Sequence, residues 1–172
     1  LGADGLVYYM AAEQEYGSAT AMLDKHGMAT DVYNKVAAVN EEILALKGRC
    51  IDFVCDGVII ANSTEVQDAV KTAGQQGDRT SYRHLASVTE KDGKAALVGL
   101  FRPTGNGFGE GYYVVNPDTE NGITVTLTMD VGQALAVWGS NGCELFNWCD
   151  SITLTLGPGE GLFIENSGAD SL

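Results

Sequence analysis

The second half of this chain most constrains its fold, because it is a nearly unbroken series of short alternating segments. In "ITVTLTM", 123–129, Ile123, Val125, Leu127 and Met129 fall on one face and three threonines on the other. Period two is the pattern of a half-buried strand. Further strands are expected at 95–101, 111–116, 133–138, 143–147, 151–156 and 161–164. Turn-forming stretches such as "NPDTENG", "SNG" and "GPGEG" separate most of them. Strands so spaced predict an antiparallel β-sandwich. The segment 150–166 is expected to be its closing hairpin, turned by Gly157-Pro158-Gly159.

The beginning of the chain has a different texture. "GLVYYMA", 5–11, is an apolar run without alternation, as for a strand buried on both faces. Val32, Val36, Val39, Ile43 and Leu46 then recur at helical spacing. Thr30 is the expected N-cap, Asp31 suits the positive end of the helix, and Gly48 is the expected stop. The fold class is thus mainly β, an antiparallel β-sandwich preceded by one strand-helix unit. The expected division is a strand-helix portion at 1–48 and a sandwich at 49–172. Between them, "RCIDFVCDGVIIAN" reads as one or two strands, and 64–72 as a short helix. "HLASVTEKDGKAALVG" reads as a hairpin turned by Asp92-Gly93.

The formal net charge of -13, from 10 Lys plus Arg against 23 Asp plus Glu, repels a phosphate backbone. Nucleic acid and anionic membranes are therefore excluded as partners, while neutral sugars are not. No apolar run reaches the length of about 18 residues that a membrane helix needs. No leader is visible, and Leu1 reads as a mature or cut end. If Cys50 and Cys55 share one strand, their odd spacing points them to opposite faces, and a straight strand separates Cys143 from Cys149. Buried free thiols are expected. Neither pair has zinc spacing, and His26 and His84 lack neighbouring ligands in the sequence, so no metal site is expected.

"GNGFGEG", 105–111, links two strands, whereas a nucleotide loop opens a helix, so no cofactor is expected. Trp138, Trp148, Tyr112 and Tyr113 are candidates for a sugar-stacking platform, against the alternative that they fill the core. Asp118, Glu120 and Asp130 lack the spacing of a calcium loop and read as a solvated rim. Asn62-Ser63-Thr64 matches a glycosylation sequon, which carries weight only in a secretory setting. In the β-rich half the carboxylates read as turn or outward residues, and nothing brings two together for acid–base work. Glu13 and Glu15 alone have a positional argument, lying just past the end of the first strand.

Taken in order, "LGADGLVYYMAAEQ" and "LDKHGMATDVYNKVAAVNEEILAL" resemble the eighth strand and helix of a (β/α)8-barrel glycoside hydrolase. Asp24, Gly27, Thr30, Tyr33, Val36, Val39, Asn40, Glu42 and Ile43 carry that likeness. "SITLTLGPGEGLFIE" resembles the end of the small β-sandwich that closes many such chains, through Leu154, Leu156, Pro158, Gly159, Glu160, Gly161 and Glu165. The resemblance implies a non-catalytic C-terminal accessory domain that packs on an upstream catalytic barrel of the same parent chain. Tyr8, Tyr9 and Glu13 would then lie at the rim of the substrate cleft, and no catalytic residue carries over. The sequence leaves the compartment open, with an extracellular or cell-surface setting favoured over a cytoplasmic one. An independent carbohydrate-binding module, stacking sugars on Trp138 or Trp148, and an oligomerisation domain stay open as alternatives.

Overall fold

A computed structural model describes residues 12, 21–64, 79–104 and 109–166. Two compact units divide between Gly48 and Arg49.

In the first unit, Asp24 organises a tight loop: its Oδ1 accepts the N–H groups of His26 and Met28, each at 2.8 Å. Gly27 supplies the φ of 76° that this loop requires. The Thr30 hydroxyl donates to the carbonyl oxygens of Ala21 at 2.6 Å and Met22 at 3.1 Å. It therefore pins the loop rather than serving as the expected N-cap acceptor. Helix α1 follows as Asp31–Cys50 and runs two residues beyond the expected stop at Gly48. Cys50 consequently ends a helix and does not share a strand with Cys55.

The second unit is antiparallel throughout its named strands: β1 Phe53–Ala61, β2 Leu85–Glu90, β3 Ala96–Pro103, β4 Glu110–Val115, β5 Ile123–Gly139, β6 Gly142–Leu156 and β7 Gly161–Asn166. Four expected strands are really two long ones, since 123–129 and 133–138 merge into β5, and 143–147 and 151–156 into β6. Sheet order is β1-β3-β4-β7-β5-β2, with β6 on the other side of β5. The first half of β5 pairs β2, and its second half pairs β7. Two layers therefore share β5 and β6, which bend from one into the other. Val98, Leu100, Tyr112, Val114, Val125, Leu127, Leu156 and Ile164, all fully buried, fill the space between.

Two expected hairpins are layer crossings instead. β2 pairs β5 while β3 pairs β1 and β4, so Asp92-Gly93 turns the chain without pairing the strands it joins. β6 and β7 lie on opposite sides of β5, so the glycine turn after Leu156 is an arch. Polar side chains stitch these crossings together. The buried Glu90 carboxylate accepts Asp92 N at 2.9 Å and Lys94 N at 2.6 Å. Asn116, 1% exposed, spans two loops. Its Nδ2 donates to Asn121 O at 2.8 Å and Gly157 O at 2.7 Å, while its Oδ1 accepts Asp118 N at 3.0 Å. Without such partners the crossings would bury unpaired backbone groups.

Candidate functional site

The bend shared by β5 and β6 is the most unusual part of the second unit. Thr128 pairs Ser151 and Gln133 pairs Cys149, so residues 129–132 of β5 stand opposite Asp150 alone. Leu135 then pairs Phe146, placing Asn147 and Trp148 opposite Ala134. Such bulges re-aim side chains and sharpen the bend. Trp148 takes a φ of 53° here. Its indole is 59% exposed and rests against the backbone of β5, where a Cβ on Gly132 would lie 3.0 Å from Nε1.

Polar groups gather beside this bend. His84 Nδ1 lies 3.2 Å from Asp130 Oδ1, and Asp130 N donates to His84 O at 2.9 Å. Nearby in sequence, the Tyr82 hydroxyl donates to Asp56 Oδ2 at 2.8 Å, and the guanidinium groups of Arg79 and Arg83 each lie 5.5 Å from the Tyr82 ring centroid. The Tyr82 hydrogen bond, aided by the charges of Arg102 and Arg79, holds Asp56 below the usual carboxylate range against the opposing effect of desolvation. Burial, reinforced by the Asp56 hydrogen bond, pushes the Tyr82 phenol up to about 12.

Inside the sheet, Glu110 is 3% exposed, which corrects the expectation that carboxylates of the β-rich half lie in turns or face outward. The fully buried Tyr112 donates its hydroxyl to Glu110 Oε2, and Glu110 N donates to Asn166 Oδ1 at 2.6 Å. Burial first, then that bond to Glu110, raises the Tyr112 phenol far above its ordinary value. Glu90 is the second exception, drawn inward by the turn N–H groups it accepts. Both carboxylates are committed to holding the fold, and neither has the open reach of a general acid or base.

The sequence-derived candidates separate. Tyr8, Tyr9 and Glu13 lie outside the described residues, as does most of the expected helix at 64–72. Trp138 is half-buried and paired with Cys143 and Phe163, whereas Trp148 sits at the bend. Tyr112 is core, and Tyr113 packs at Gly161, where a Cβ would lie 2.5 Å from its hydroxyl. The four aromatics therefore build no shared platform. Near the β5–β6 tip, Val137, Glu144, Phe146, Thr153, Glu160 and Leu162 line a groove of about 420 Å³. Its Glu160 is already engaged, accepting Gly157 N at 2.6 Å.

The Asp118 carboxylate accepts the N–H groups of Glu120 at 2.8 Å and Asn121 at 3.0 Å, bonds that lower its pKa. It thus organises its own turn. Among the described residues no three His, Cys, Asp or Glu side chains converge as a metal site. Cys55 and Cys149 are half-buried free thiols, but Cys143 is exposed, contrary to expectation. No protein-family model, curated protein or solved structure matches the chain.

Proposed function

We propose that this chain is the C-terminal accessory part of a (β/α)8-barrel glycoside hydrolase, and that its β-rich unit packs on and stabilises the upstream catalytic barrel. The supporting observation is the outer face of α1. Tyr33, Val39, Ile43 and Leu44 are 45%, 47%, 42% and 63% exposed. A helix carrying so much bare apolar surface calls for a covering neighbour, and the last helix of a barrel has its ring of helices to supply one. The loop ahead of it fits the same reading, because Asp24, Gly27 and Thr30 each hold that loop in shape. Tyr8, Tyr9 and Glu13 would complete the rim of the cleft. Hydrolysis itself would fall to two carboxylates from other barrel strands, acting through an oxocarbenium-like transition state.

An antibody raised against this chain tests the proposal on extracts of the source cells. The expected immunoprecipitate runs several-fold above 18.2 kDa and hydrolyses glycosides. A single inactive band at 18.2 kDa would overturn it.

A further inference from the structure

Among the described residues, Asn62, Arg83 and Trp148 have positive φ without being glycine, at 59°, 47° and 53°. Asparagine tolerates this region because its short side chain bonds locally, but a bulky aromatic there is strained. Such strain persists only where something compensates for it, and it concentrates at ligand contacts. Burial is not the compensation here, since Trp148 is 59% exposed.

A second observation concerns how the ring is held. A Cβ on Gly132 would lie 3.0 Å from Nε1, 3.2 Å from Cδ1 and 3.4 Å from Cε2. The five-membered ring of the indole thus rests close over the Gly132 backbone, where a Cβ would crowd it. The bend also carries the Asp130–His84 pair, with side chains 51% and 42% exposed. An exposed indole with a carboxylate on the same bend, and an imidazole bonded to that carboxylate, matches what a neutral pyranose presents, an apolar face edged by hydroxyls. Asp150, two residues along the chain from Trp148, and a net charge of -13 disfavour uronates and sulfated chains.

We propose that Trp148 is a carbohydrate contact, on which one residue of a neutral oligosaccharide stacks while Asp130 and His84 engage its hydroxyls. The choice of sugar as ligand rests on the accessory-domain reading, and the site adds a surface grip to that domain. A quaternary ammonium also favours an indole near carboxylates, so choline is the competing probe.

The test uses the full chain with Trp138→Phe, leaving Trp148 as its only tryptophan. Maltohexaose, cellohexaose, xylohexaose, hexagalacturonate and choline are titrated separately while emission is followed. At least one neutral hexaose is expected to give a saturable shift, with hexagalacturonate and choline giving none. In the otherwise native chain, Trp148→Ala should weaken binding of that hexaose about tenfold by calorimetry, the scale of one good aromatic contact. Trp148→Gly should lose binding equally while raising the urea midpoint, because glycine takes the same φ without strain. The proposal falls if no neutral hexaose gives a saturable change up to about 10 mM. It also falls if choline alone binds, or if Trp148→Gly lowers the urea midpoint. A large, glycosidase-active immunoprecipitate without hexaose binding removes only the Trp148 assignment. A small inactive band with saturable hexaose binding removes only the hydrolase reading.

Discussion

Removing the Asn116 side chain should loosen two loops at once, the one after β4 and the arch after Leu156. Its amide makes three hydrogen bonds, to Asn121 O, Gly157 O and Asp118 N, from a position 1% exposed. At about 1 kcal/mol net for each bond, Asn116→Ala should cost about 3 kcal/mol. With a urea slope of about 1.5 kcal/mol/M, the midpoint falls by about 2 M. Tryptophan emission is the assay, since both tryptophans belong to the second unit. Asn116→Asp sharpens the test. It keeps the acceptor for Asp118 N but turns an ionised oxygen toward two carbonyl oxygens, so at pH 7 it should cost more than alanine. Protonation restores a donor, so the deficit relative to the native chain should shrink near pH 3. A cost below about 1 kcal/mol for Asn116→Ala, or no pH dependence for Asn116→Asp, would refute the role given to Asn116.

Four further outcomes follow from the packing and titration described. Asp56 is depressed in the folded state, so its contribution is present above the unfolded carboxylate pKa and lost as pH falls through the folded value. The penalty of Tyr82→Phe, measured by urea unfolding, should therefore shrink on acidification. At the alkaline end, Tyr82 contributes fully below its unfolded pKa of 10.0 and loses that contribution as pH rises through about 12, so its tyrosinate absorbance should appear late or together with unfolding. Gly111→Ala would place a Cβ 2.7 Å from Phe163 Cζ, and the overpacking should cost about 2 kcal/mol by urea unfolding. Among the described thiols, exposed Cys143 should react with a thiol reagent ahead of Cys149, whose pKa burial raises; Cys143→Ser should lower the number of fast-reacting thiols by one.

Local structure was legible in the sequence where one face is buried. Ile123, Val125, Leu127 and Met129 alternate because each enters the core, and Ile152, Leu154 and Leu156 do the same from β6. The partner of each strand was not legible. A proline-glycine or aspartate-glycine turn reverses the chain equally well within a sheet and between layers, and only distant pairing distinguishes the two. The continuity of β5 was hidden because Asp130, Val131 and Gly132 interrupt its alternation, although that interruption marks the bend. Buried Glu110 was missed because a carboxylate's burial depends on acquiring a donor, here Tyr112, whose reach depends on the folded strand. Trp148 was visible as an aromatic residue. Its strain and its seat on Gly132 were not, because both arise from the register between β5 and β6.

The place of β7 bears on how the molecule is made. β7 follows every other strand of the sheet in sequence yet lies between β4 and β5. During vectorial synthesis, β4 and β5 emerge with facing edges that have no native neighbour until residues 161–166 clear the ribosome. Consolidation of this unit therefore waits for β7, and until then the edges are open to strands from neighbouring nascent chains. A stop codon just before Gly161 would spare every other named strand, yet it would leave a slot in the middle of the sheet.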